Sequence, residues 1–210
     1  MLGLVSGCIA PQRPDDVVVL ASGADLESAN PLVTTHPLSR QLQRYALFVT
    51  LTRYDAQLAP RPYLARAWRW SADRRTLELS LVPGLRWHDG VLTTARDAAF
   101  TFLAARDPAA GSVRASELAA LDTAVAVDDT TLALTFASAR AELPAFLAEL
   151  PLLPEHLLGN VPRRALRGAP FNDAPVGNGP FAFVSRRRGA RWTFTRNDSF
   201  PASLGGPPAL

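Results

Sequence analysis

PRPYLARAWRWSADRRTLELSLVPGLRWHDGVLTTARDAAFTF, from Pro60 to Phe102, is the stretch on which the fold turns. Its centre, Thr76 to Val82, alternates Leu77, Leu79 and Leu81 with polar residues, the period of a half-buried strand. Pro83-Gly84 turns the chain, and Leu85 to Gly90 makes a tight polar-aromatic connection. Thr93-Thr94 with Asp97 then carries a capping signal for a helix over about Ala95 to Ala105. Ahead of the strand, Pro60 and Pro62 hold the chain extended, and Tyr63 to Trp68 reads as a short helical stretch.

Outward from this block, Val17 to Ala21 is a β-branched run between Asp-Asp and Ser-Gly, the pattern of a buried strand. Asn30-Pro31 and His36-Pro37 punctuate a loop. A helix is expected from Leu38 or Ser39, with Leu42, Tyr45 and Val49 on one face. After Asp107-Pro108 come a short helix over Ala115 to Leu121 and two strands, Ala124 to Val127 and Thr131 to Phe136, joined by Asp128-Asp129-Thr130. Helices over Glu142 to Leu150 and Glu155 to Leu158 and a loop from Gly168 to Gly179 lead to a second hairpin, Phe181 to Ser185 and Trp192 to Arg196. The order is α/β or α+β without strict βαβ repetition.

Composition excludes several classes. With 210 residues, 48% of them hydrophobic, the chain can bury a sizeable core. A single cysteine, Cys8, excludes a disulfide framework and a Cys-rich metal site. All 22 basic residues are arginine, which removes Schiff-base and phosphate-loop lysine chemistry. The net charge of +3 comes largely from late arginines, with Arg186 to Arg188 beside Gly189 reading as a solvated hairpin tip and not as a nucleic-acid groove. His88 beside Asp89 invites a base-and-orienter reading, yet adjacent turn residues point apart and no third group is placed. Neither HExxH nor GxSxG occurs, and Gly177-Asn178-Gly179 announces a strand where a phosphate cradle would open a helix.

The Pro60 to Phe102 block resembles the signature region of bacterial extracellular solute-binding proteins of the oligopeptide and dipeptide class, family 5. The resemblance is carried by Trp68, Leu79, Pro83, Gly84, Trp87, Asp89, Gly90, Thr94, Ala95, Asp97 and Phe100 in one order. Asp128-Asp129-Thr130-Thr131-Leu132, the block Pro175 to Phe181 and the triplet Arg196-Asn197-Asp198 add to it. It implies an α/β periplasmic-binding-protein-like fold of type II, of which this chain is the N-terminal part, with the second lobe missing. Residues 17–44 and 170–210 would belong to lobe I, and 45–169 to the N-terminal subdomain. The implied function is non-enzymatic: capture of an extended peptide between two lobes for an ABC permease and ATPase, weak or inactive in this truncated form. Thr34, Thr35 and His36 would offer backbone groups to the ligand, with no cofactor and no metal. Nickel, haem, opine or sugar could replace peptide, and a repurposed solute-sensing module is the alternative class.

Val5-Ser6-Gly7-Cys8 resembles a bacterial lipobox, so residues 1–8 read as a remnant signal and Cys8 as the lipid attachment site. Seven uncharged residues precede it, fewer than the roughly 15 to 30 of a secretory signal, so the true start is expected to lie elsewhere. The implied location is the periplasm or the outer face of the cytoplasmic membrane. The competing reading makes Cys8 an incidental small apolar residue.

Overall fold

The computed structural model describes residues 18–209. The lipobox and Cys8 lie outside them. Six residues organise the centre of the fold: Leu77, Leu79 and Leu81 of one strand and Leu132, Leu134 and Phe136 of another are all at most 2% exposed. The strands carrying them form a four-stranded antiparallel sheet. Taking the strands in chain order, these are β3 (Ala65–Trp70), β4 (Thr76–Leu81), β5 (Leu121–Ala126) and β6 (Thr131–Phe136), and their spatial order is β3-β4-β6-β5. The central pair is in register from Thr76 opposite Thr135 to Ser80 opposite Thr131. Two further two-stranded ribbons exist: β1 (Thr52–Tyr54) with β2 (Pro60–Pro62), and β7 (Phe181–Arg187) with β8 (Arg191–Arg196).

The apolar sheet face packs against helix α2 (Ala95–Arg106), after α1 (Pro37–Leu42) in chain order. Five buried alanines of α2, at 95, 98, 99, 104 and 105, leave no bulk between helix and sheet, and Phe102 fills the gap with an edge-on contact to Phe146 at 5.0 Å. The expected cap is present: the Thr94 hydroxyl accepts the Arg96 N–H at 3.2 Å and Asp97 Oδ2 accepts the Thr94 N–H at 2.8 Å. Asp97 also fastens a second helix, because its Oδ1 accepts the Glu155 N–H at 2.8 Å at the start of α4 (Glu155–Leu158), which follows α3 (Phe146–Glu149).

Four local expectations are corrected. Residues 18–21 form no strand: Val18 and Leu20 are 78% and 72% exposed, and no strand among the described residues pairs with them, so β-branched composition alone did not suffice. Tyr63 to Trp68 is not helical; Ala65–Trp70 is the outer strand β3, where Trp68 and Trp70 turn inward, Trp70 resting on Phe136 at 5.7 Å. The helix after Pro37 stops at Leu42 and widens into a five-residue π-helical turn, Gln43–Leu47, which leaves Tyr45 exposed and Val49 buried beyond the helix. The segments expected to be helical over Glu142 to Leu150 and Ala115 to Leu121 shrink to α3 and to a 3₁₀ turn, Ala115–Leu118, since Pro144 and Pro151 bracket the first and Leu121 already opens β5.

Candidate functional site

The loop between Asn30 and Pro37 is held from inside. The Asn30 side chain donates to Asn172 Oδ1 at 2.9 Å and accepts the Leu32 N–H at 2.9 Å, so the turn after it is tied to a segment more than 140 residues away. Thr34 is buried; its hydroxyl donates to the Glu27 carboxylate and accepts the His36 N–H at 3.0 Å. Thr35 is exposed between them and His36 is half-buried. The three residues proposed from resemblance therefore sit together on a braced loop, with Thr35 presented outward and Thr34 spent on bracing. The imidazole Nδ1 of His36 is buried and has no hydrogen-bond partner.

Beside this loop lies a cleft of about 400 Å³ lined by Arg40, Arg114, Glu117, Phe136, Arg140 and Glu149, among others. Arg40 of the cleft lining donates its backbone N–H to His36 C=O of the loop at 3.0 Å, and Val113, the neighbour of Arg114, donates to Leu32 C=O at 3.2 Å. Sequence reading passed over these arginines because they are scattered over a hundred positions; only the α1 helix and the 3₁₀ turn at Ala115 bring them together. A second, smaller cavity of about 290 Å³ lies on the β7–β8 ribbon among Ser185, Arg186, Arg187, Arg191 and Thr193. Its charge is partly neutralised: Arg186 and Arg188 both bind the Asp173 carboxylate.

Trp87, His88 and Asp89 fasten the corner between strand and helix. Trp87 is 1% exposed in the core. His88 turns toward the segment at 177–179, its N–H meeting Gly177 C=O at 2.7 Å and its Nε2 lying 3.0 Å from Gly179 C=O. That contact needs a proton on Nε2 and leaves Nδ1 bare and buried without a partner. Burial accordingly lowers the His88 pKa below its usual range, against the opposing effect of the Gly179 carbonyl. Asp89 points elsewhere, to His156 Nε2 at 2.7 Å, a pairing across 67 residues that gives His156 a structural partner in place of the plain surface position expected for it. The outcome is a double anchor of the corner.

Gly177, Asn178 and Gly179 form the tightest backbone approach. Asn178 is fully buried; its N–H and that of Gly179 both donate to Leu47 C=O, its Oδ1 accepts the Val49 N–H at 3.0 Å, and its Nδ2 reaches Thr93 Oγ1 at 3.2 Å. A Cβ on Gly177 would stand 2.0 Å from Leu47 O, so only glycine lets the two strands of chain meet. The π-helical turn ends where Phe48 goes extended, and the carbonyl of Leu47, its last residue, is taken up by Asn178 and Gly179.

Residues 59–210, well over half of the chain, match the description of bacterial extracellular solute-binding proteins, family 5 Middle. The chain belongs to this family. Among family 5 relatives, a Brucella ovis protein described as an ABC transporter peptide-binding protein is 34% identical over 121 residues, which are 57% of this chain and 23% of that protein. The nickel-binding NikZ of Campylobacter jejuni, solved with Ni(L-His), superposes with a TM-score of 0.79 at 27% identity, covering 90% of this chain and 37% of NikZ. The oligopeptide-binding AppA of Bacillus subtilis, solved with a nonapeptide, gives 0.78 at 26% identity over 82% of this chain and 34% of AppA. The fold is therefore that of the oligopeptide class of periplasmic binding proteins, and this family 5 chain spans 23% to 37% of the length of those relatives. No helix among the described residues is long and apolar enough to cross a membrane, and no group of three His, Cys, Asp or Glu side chains among them is placed to hold a metal.

Proposed function

We propose that this family 5 chain is the first-lobe part of a solute receptor for an ABC importer, presenting the Thr34–His36 loop to an extended peptide. The observation that carries the reading is the bracing of that loop by Asn30, Glu27 and Asn172, which fixes backbone groups ahead of any ligand and spares the cost of ordering them. Residues 17–44 and 170–210 supply lobe I and 45–169 the N-terminal subdomain; a second lobe closes over the ligand in the complete receptor. The 210 residues alone bind weakly, because one wall of a cleft cannot desolvate a peptide. No catalytic step is assigned. Lipid on Cys8 would hold the receptor at the outer face of the cytoplasmic membrane, near the permease and ATPase that accept its cargo.

The test uses acetyl-trialanine amide, an extended peptide without charge, titrated into the full chain while backbone amide resonances are followed. Shifts at Thr34, Thr35 and His36 that saturate in the millimolar range are the expected result. Shifts that spare those three residues overturn the assignment of the loop.

A further inference from the structure

The cleft next to the loop has a charge pattern that its own structure does not use up. Arg114 is 1% exposed, yet among the described residues its Nε has no hydrogen-bond partner and its one ionic contact is Glu117 at 2.6 Å. Arg40 reaches Glu149 at 2.5 Å, but Arg44 takes the same oxygen of that carboxylate at 2.8 Å, so one anion serves two cations. Arg140 makes no salt bridge among the described residues and lies over the Phe136 ring at 5.9 Å. Three guanidinium groups thus face two carboxylates around one cleft, and one of those carboxylates is shared outward. Of the three, Arg114 is the buried one, and a buried guanidinium left short of a partner costs free energy that an incoming anion would recover. Burial lowers the Arg114 pKa and the nearby Arg40 charge adds to that, both in the direction an anion would reverse, although Glu117 opposes them.

The rest of the lining narrows the class of anion. Phe136, Phe146, Pro144, Ala145 and Ala120 supply apolar lining among the arginines, with Arg140 lying over the Phe136 ring. A bare inorganic ion would leave that apolar lining wet, whereas a planar carboxylate carried on an apolar body satisfies both kinds of lining and suits the forked geometry of arginine. A volume near 400 Å³ lies in the range of small-molecule sites.

We propose that this cleft is a subsite for an organic carboxylate, with Arg114 and Arg140 as the binding pair and Arg40 as a supporting cation. The proposal deepens the receptor reading and rests on it for its place beside the Thr34–His36 loop: it makes the preferred cargo an acidic solute, its carboxylate seated among the arginines while its backbone meets the loop.

The probes are benzoate, benzamide and inorganic phosphate, titrated separately into the full chain with amide shifts at Arg114 and Arg140 as the readout. Benzoate is expected to bind at least tenfold more tightly than benzamide, and Arg140→Gln to weaken benzoate by about tenfold, the loss typical of one charged hydrogen bond. Arg114→Gln is expected to weaken it as much or more; should that variant fail to fold, the accessible Arg140→Gln decides alone. Equal binding of benzoate and benzamide, or unchanged benzoate binding in Arg140→Gln, overturns the subsite. Phosphate binding as strongly as benzoate overturns the organic class. Because acetyl-trialanine amide has no carboxylate, its shifts at the loop report the receptor reading separately: loop shifts without a benzoate response defeat only the subsite, and a benzoate response without loop shifts defeats only the loop.

Discussion

Replacing Asn178 with alanine removes the amide that joins three parts of the chain, and its cost can be built from the contacts it makes. The Val49 N–H, in a residue with no exposure, loses its acceptor at 3.0 Å, and Thr93 loses a donor at 3.2 Å. A buried donor left unsatisfied costs about 1–3 kcal/mol and the lost neutral bond about 0.5–1.5 kcal/mol, so the expected destabilisation is roughly 2–4 kcal/mol. For a chain of this size that corresponds to a fall in Tm of about 4–15 °C. Urea unfolding followed by tryptophan fluorescence gives the first figure, and calorimetry the second. Asn178→Asp, which keeps the Oδ1 acceptor but buries a charge, should be no better. A loss below about 0.5 kcal/mol for Asn178→Ala, the range of an ordinary surface change, would refute the account of the amide as a buried junction.

Other perturbations probe the contacts around this junction and the cap of α2. Gly177→Ala forces its Cβ against Leu47 O and should destabilise by more than the roughly 1 kcal/mol gained or lost by glycine substitutions in open positions, read by the same urea titration. Thr94→Ala removes the hydroxyl that caps α2 and should cost about 0.5–2 kcal/mol, with helical circular dichroism lost at lower temperature. His88 has its pKa depressed by burial, so the folded state resists a proton that the unfolded state accepts below about 6.5. Stability from this group is present above pH 6.5 and falls as the pH drops through the lower folded value; His88→Gln should flatten that part of the stability profile, and an unchanged slope between pH 7 and 5 would count against it.

Much of the fold was legible wherever side-chain period and turn chemistry agreed. Leu77, Leu79 and Leu81 alternate because they are buried on one face, and Thr94 with Asp97 marks α2 because an exposed helix start must find acceptors for its first N–H groups. The misses came where a distant partner overrode local preference. Ala65–Trp70 has helix-forming residues but gains a strand partner in β4, and the turn that follows the helix after Pro37 offers its last carbonyl, Leu47 C=O, to residues 178 and 179. Val18 to Ala21 carries strand-like residues but has no partner strand among the described residues. At the candidate site, resemblance pointed to residues 34–36, which form one loop in sequence. The arginine cleft was invisible because Arg40, Arg114 and Arg140 share no motif and meet only after the sheet has formed.

The stitch between Leu47 and Asn178 also bears on how the protein reaches its structure. It closes a loop of about 130 residues, and chain statistics put the entropic cost of such closure near 4 kcal/mol beyond a constant, scaling as (3/2)RT ln n. The hairpins β3–β4 and β5–β6 need far shorter excursions and are complete by residue 136, well before residue 178 leaves the ribosome. A nascent chain can therefore assemble its sheet and α2 early while both ends of the stitch stay open, with the junction at Gly177–Gly179 closing late. Slow, late docking at one seam would make that seam, and not the sheet, the place where newly made molecules wait, and where a chaperone holding the unfinished chain would find exposed apolar surface.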